Sequence, residues 1–306
     1  MTISAAYRAQ VDLLLQILPH VAQEEAFALK GGTAINLFAR DMPRLSADID
    51  LTYLPFDDRE TALASIAEAL RRIQRRIESA IPGTRTNLVS QSGGQETKVV
   101  CQSTAAQIKI EVNTVIRGHI LPPRRMDISE PVEAEFGKFV SISVVSHAEL
   151  FGGKICAALD RQHPRDLFDI HHLLRNEGFT DDVRMGFLAL LISHPRPIHE
   201  MLRPNFSDQR AAFGTQFSGM ALTPFTYHDY ETTRQRLVRE IRERLTEDDR
   251  KFLLSFKRGH PEWGRVPLEN LKRMPAVLWK LSNIQKLCHQ NPEKHAEQLT
   301  ALESRL

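Results

Sequence analysis

The stretch Phe27-Ala28-Leu29-Lys30-Gly31-Gly32-Thr33-Ala34, together with Arg44-Leu45-Ser46-Ala47-Asp48-Ile49-Asp50-Leu51, decides how this chain reads. It predicts a short apolar strand, a glycine turn, a helix start and a second strand carrying two carboxylates. In Asp48-Ile49-Asp50-Leu51 the two-residue period of a strand puts both aspartates on one face and both apolar side chains on the other. Neighbouring carboxylates on an open face repel, a cost that a cation removes. A hard divalent ion such as Mg2+, arriving with a nucleotide's phosphates, suits oxygen ligands of this kind.

At 306 residues the chain is long enough for two lobes, and a hydrophobic content of 42% supports ordinary cores. The formal net charge is +2, so bulk basicity does not point to nucleic acid and local clusters must be weighed instead. No run of about 18 apolar residues and no signal-type leader is evident, so no membrane is expected. Cys101, Cys156 and Cys288 are few and far apart. They suggest neither a disulfide framework nor a zinc site and fit a reducing cytoplasm.

Outward from the opening stretch, residues 5–24 read as an amphipathic helix and 33–40 as a short one, with Ile35, Phe38 and Ala39 inward. Leu63, Ile66, Leu70, Ile73 and Ile77 mark a helix over 58–80, whose far face carries Arg71, Arg72, Arg75 and Arg76. Strands follow at 85–90, 97–103 and 107–113, with Gly93-Gly94 as a turn between the first two. In the third, Ile108, Ile110 and Val112 face the core while Glu111 joins the open side. One more alternating strand, 140–144, closes this half. Ser146-His147-Ala148-Glu149 then reads as a capping box opening a helix to about residue 160, and Pro164 starts the next, over 165–175. Residues 203–226 read as a long loop, either a cover or a plain connection. Thr246 caps a helix at 247–257, and 276–290 is expected to be the final one.

The order strand, Gly-Gly, helix, Ser-x-Asp-x-Asp and a later strand carboxylate resembles the nucleotidyltransferase superfamily that includes polymerase β. More narrowly the chain resembles the AbiEii/AbiGii toxin family of type IV toxin–antitoxin systems. That likeness rests on Leu29-Lys30-Gly31-Gly32-Thr33-Ala34, on Arg44-Leu45-Ser46-Ala47-Asp48-Ile49-Asp50-Leu51, and on Lys154, Arg161 and Arg165-Asp166-Leu167-Phe168-Asp169. The C-terminal Leu254-Ser255-Phe256-Lys257-Arg258-Gly259, with Trp263 and Trp279 beyond it, adds to it. The resemblance implies an α+β fold: a palm with a mixed sheet over 1–145, and a mostly helical lobe over 146–306 that completes an active-site cleft.

It also implies roles. Gly31-Gly32 would let a triphosphate approach the backbone at a helix start that favours anions, with Lys30, Thr33, Arg165 and Asp166 also at the nucleotide. Ser46 would donate to a phosphate. Asp48, Asp50 and Glu111 would hold Mg2+ or Mn2+, with Glu111 helping to deprotonate an attacking hydroxyl. Lys154 would face the β- or γ-phosphate. Asp169 or Asp166 would complete the catalytic set, and spacing does not choose between them. The implied activity is transfer of a nucleoside monophosphate from an NTP to the 3′ end of tRNA, blocking translation and growth. A cognate antitoxin, usually a winged-helix repressor, would accompany it.

Other readings compete. The acceptor could be a small molecule or a protein, or the fold could bind nucleotide or RNA without catalysis. Gly-Gly often merely turns, and a strand Asp-x-Asp is often a solvated edge. Arg165 and Asp169, one helical turn apart, could be a surface pair worth about 0.3–0.5 kcal/mol. Gly152-Gly153, before Lys154, fits either ligand approach or tight helix packing. For His163, His171 and His172, packing outweighs metal binding. The four helix arginines, with Arg117, Arg124 and Arg125, could be a solvated face or an RNA footprint. Trp263 and Trp279 are expected in the core.

Overall fold

Asp48–Tyr53 (β2) lies near the middle of a seven-stranded mixed sheet, where its alternation buries Ile49 and Leu51 and leaves Asp48 exposed. The computed structural model describes residues 4–90 and 96–306. The expected Gly93-Gly94 turn lies outside the described residues. Chain order begins α1 (Ala5–Val21), β1 (Phe27–Lys30), α2 (Gly31–Thr33) running into a π-helical turn (Ala34–Ala39), then β2 and α3 (Arg59–Ala80). There follow β3 (Arg85–Ser90), β4 (Glu96–Gln102), β5 (Gln107–Asn113), β6 (Arg124–Asp127), α4 (Glu130–Phe136) and β7 (Ser141–Val144). The strand order is β3-β4-β5-β2-β1-β7-β6, with β1–β7 and β2–β5 parallel and the other pairs antiparallel.

The predicted stripe of α3 is the buried one: Leu63, Ile66, Leu70, Ile73 and Ile77 all lie inside, packed on β3 and β4. Burying such side chains stabilises by about 1.5–3 kcal/mol each. On the opposite face several of the arginines are engaged within the unit, while Arg75 there and Arg124 of β6 are exposed. Arg72 and Arg76 both donate to Glu24, which is 6% exposed, and Arg71 pairs with Glu96. Burial pushes the Glu24 carboxyl up, but the two guanidiniums outweigh it and hold the group below its ordinary range. Arg117 is buried and donates to the carbonyls of Asp57 and Asp58, and Arg125 bonds Ser141. These arginines anchor α3 and its neighbours to the rest of the unit.

Contacts divide the chain into two units. One comprises the residues up to Ser146 with Gly219–Pro224, and the other His147–Ser218 with Phe225–Leu306. The second is helical: α5 (His147–Asp160), α6 (Pro164–Asn176), α7 (Asp181–Ser193), α8 (Ile198–Leu202), α9 (Arg210–Ala212), α10 (Tyr227–Arg244), α11 (Glu247–Lys257), α12 (Pro275–Gln290) and α13 (Pro292–Glu303). Thus 276–290 is not the last helix. Nor is 203–226 a bare loop, since it contains α9 and a π-helical turn at Phe213–Phe217. Phe217 and Phe225 pack on Phe168. Trp263 packs on Phe252 and Phe256, but Trp279 is 52% exposed, contrary to its expected place in the core.

At Gly152 the structure shows tight helix packing, whereas a Cβ on Gly153 would meet nothing within 4 Å. A Cβ on Gly152 would sit 2.4 Å from the Gly186 carbonyl carbon, and one on Gly186 only 1.9 Å from the Ala148 oxygen. Helices α5 and α7 therefore touch backbone to backbone. Gly186→Ala forces them apart and should cost about 1–3 kcal/mol of stability, read as a lowered urea midpoint. A midpoint equal to wild type would show that the crossing yields freely.

Candidate active site

Strand β1 ends at Lys30, and the chain turns into α2 through Gly31, whose φ of 71° lies in the left-handed region open chiefly to glycine. Space demands glycine there as well, because a Cβ on Gly31 would meet Asp50 Oδ2 at 2.5 Å. At Gly32 a Cβ would lie 2.8 Å from Arg44 Nη2 and 2.9 Å from Ser46 Oγ. The glycine backbone is thus in direct contact with a carboxylate, a hydroxyl and a guanidinium. Thr33 is fully buried and braces this turn: its hydroxyl donates to the Asp48 carbonyl and lies 3.1 Å from Ser46 Oγ. It acts as a strut rather than an exposed nucleotide contact.

Arg44 belongs to this cluster although its spacing alone assigns it no role. It is 3% exposed, donates to the Leu45 carbonyl, and its backbone bridges Ala221. Leu45 N–H donates to Met220, and Leu222 N–H to Pro43. The Gly219–Pro224 strap therefore holds the segment that delivers Arg44 and Ser46, a long-range pairing that no local motif announces.

Register assembles the charges. Asp50 of β2 lies opposite Lys30 of β1 and beside Glu111 of β5, and Glu111 lies opposite Lys98 of β4. In-register residues project to one face, so Lys98, Glu111, Asp50 and Lys30 form a row across four strands with two carboxylates in the centre. Asp48, one pleat along, shares that face. Like charges side by side on neighbouring strands are destabilising, which is the physical demand for a cation. Lys98 meets part of it, holding Glu111 at 2.8 Å. Among the described residues no three metal-binding side chains converge on one point. Register places Asp50 beside Glu111, but the Glu111 carboxylate pairs with Lys98 and does not converge with Asp48 and Asp50. Asp48, exposed, and Asp50, half-buried against Gly31, offer the hard oxygen donors a divalent cation requires, so the residues fit one.

The remaining expected site residues lie in the helical unit. Lys154 of α5 donates to Asp166 at 3.0 Å and Asp169 at 2.9 Å, both on α6, and Arg161 adds two bonds to Asp166. Lys154 is 6% exposed and the two carboxylates 1% each. Burial raises the Asp166 pKa, but the Lys154 charge and the Arg161 bonds overcome it and hold this carboxyl far below the usual range. Asp169 is thus no surface partner of Arg165. Arg165 itself is half-buried, with its backbone N–H on His163 Nδ1. His171 bonds Thr233 and packs on Phe225, the packing role expected of it.

The glycine turn is thus pressed on Ser46 and Asp50 of the Ser-x-Asp-x-Asp segment. The family model for the nucleotidyl transferase AbiEii toxin of type IV toxin–antitoxin systems matches residues 12–283. The chain belongs to the AbiEii toxin family. This AbiEii protein is accordingly a nucleotidyltransferase toxin, whose substrate is an NTP and whose counterpart is an antitoxin. Its fold is similar to that of MenT4, the nucleotidyltransferase toxin Rv2826c from Mycobacterium tuberculosis H37Rv, with a TM-score of 0.62. Identity is 16%, over 92% of this chain and 95% of that one, so the likeness speaks for the fold. No curated protein shows a significant match to the AbiEii chain. Among its described residues no helix is long and apolar enough to cross a membrane.

Proposed function

We propose that this AbiEii toxin transfers a nucleoside monophosphate from an NTP to the 3′-terminal hydroxyl of tRNA, in the cytoplasm, and so stops translation. The observation that carries the donor half is the contact of Gly31 with Asp50 beside Asp48: a backbone open to phosphate next to paired carboxylates. The acceptor half rests on the family resemblance.

In this reading Asp48 and Asp50 would hold Mg2+, and Glu111 would be the third carboxylate of the set. When bound, the ion neutralises phosphate charge as the α-phosphorus is attacked. The backbone of Gly31 and Gly32 lies against the triphosphate, with Ser46 donating to a phosphate oxygen and Lys30 adding positive charge. The acceptor oxygen forms a bond to the α-phosphorus, the bond to the β-phosphate oxygen breaks, and pyrophosphate leaves. Glu111 takes the hydroxyl proton, one strand from Asp50. Lys154, Asp166 and Asp169 are required for turnover.

Incubating the protein with each α-labelled NTP, total tRNA and Mg2+ tests this reading. Label should move to tRNA, be lost when the 3′ hydroxyl is oxidised beforehand, and depend on the divalent ion. Label on protein or on a small molecule, with none on RNA, would overturn the tRNA acceptor and leave the transferase standing.

A further inference from the structure

The helical unit contains a second site, built from the C-terminal motif that the transfer reaction does not use. Lys257 ends α11, is 5% exposed, and lines a cavity of about 160 Å3. Lys280 of α12 lines the same cavity and is 6% exposed. The two ammonium groups are treated differently. Lys280 donates to the carbonyls of Leu191, His194 and Arg196, at 3.1, 2.6 and 2.8 Å, so its three donors have three acceptors. Lys257 donates to Gln298 at 2.7 Å, which among the described residues is the one hydrogen-bond acceptor for its three donors, and Cys288 lies near enough to favour its charge.

Among the described residues no Asp or Glu lines the cavity. Two buried cations with no facing carboxylate make an environment that costs free energy until an anion enters. The rest of the wall is mixed: Ile198, Ile284, Leu287 and Leu302 are apolar, His199, Asn283 and Gln298 are polar, and half-exposed Trp279 stands among them. A cavity of roughly 150 Å3 accommodates a benzene ring. Burial lowers the Lys257 amine to about 8 and the Lys280 amine to about 7, against the smaller opposing influence of Cys288 on the first and Cys156 on the second.

We propose that this cavity binds a small ring-bearing carboxylate, its anionic group on Lys257 and its ring against Ile284, Leu302 and Trp279. The site lies entirely within the helical unit and is independent of the transfer reading. It also explains Trp279: an exposed indole beside a cavity gives a ring a face to pack on.

Calorimetric titration of the full chain with sodium benzoate, and separately with neutral benzamide, tests it. Benzoate should bind saturably and benzamide about tenfold more weakly. Lys257→Met should remove that preference. Trp279→Ala, a change at an exposed position that leaves the fold intact, should weaken benzoate by about tenfold. Absence of saturable benzoate binding, or equal affinity for the acid and the amide, would overturn the proposal. So would wild-type benzoate affinity in Trp279→Ala, which decides the matter alone if Lys257→Met does not fold.

Discussion

Asp48→Ala and Asp50→Ala are each expected to abolish nucleotide transfer, by about a thousandfold or more. The two residues share one face of β2, and Asp50 sits between Lys30 and Glu111 in register. Removing either carboxylate leaves the phosphate charge poorly neutralised as the bond to the α-phosphorus forms. The size of the loss separates this from a structural effect. Asp48 is exposed, and what Thr33 takes from it is its backbone carbonyl, which alanine keeps. Asp48→Ala should therefore unfold in urea at or slightly above the wild-type midpoint, because one repelling charge has gone. Label transfer from NTP and a urea curve on the same preparation check both statements. Transfer within tenfold of wild type would remove Asp48 from the site, and a collapsed midpoint would make it a structural residue.

The local elements of the candidate donor site were legible because each depends on neighbours in sequence. A strand with period two displays Asp48 and Asp50 together, and a positive-φ turn needs Gly31. Helix α3 was equally plain, since its apolar residues recur every three or four positions. What escaped depends on partners distant in sequence. The Lys98–Glu111 pair follows from β4–β5 register, and the place of Arg44 follows from a strap at Gly219–Pro224. Arg72 and Arg76 looked like a solvated or RNA-facing row because their partner, Glu24, lies beyond another element. Helix α7 shows no stripe at all: from Gly186 to Ser193 it is buried on every side. Strand β6, with two arginines among its four residues, is an edge strand that among the described residues pairs with β7 alone, so alternation had little to act on.

Lys154→Met is expected to destabilise the helical unit by about 3–5 kcal/mol, the usual cost of removing one partner from a buried ion pair. The ammonium bonds two carboxylates that are each 1% exposed, and the guanidinium of Arg161 reaches Asp166. Methionine fills the volume but takes away charge, so Asp166 and Asp169 lose the donor they share. Adding Asp169→Asn to Lys154→Met removes the second unbalanced charge, and the pair should recover part of the loss. A double variant no more stable than the single one would show that packing, not charge, sets the cost. Acid should act at the same place. The folded Asp166 carboxyl titrates below its unfolded value, so its contribution is fully present at neutral pH and is withdrawn as the solution falls below about 4. In Lys154→Met that acid-sensitive part should shrink, visible as a flatter fall of the urea midpoint with acid. Activity then distinguishes support from participation: if transfer falls only in proportion to the unfolded fraction, the cluster is a brace. A loss far beyond that fraction, with the protein still folded, places Lys154 in the reaction.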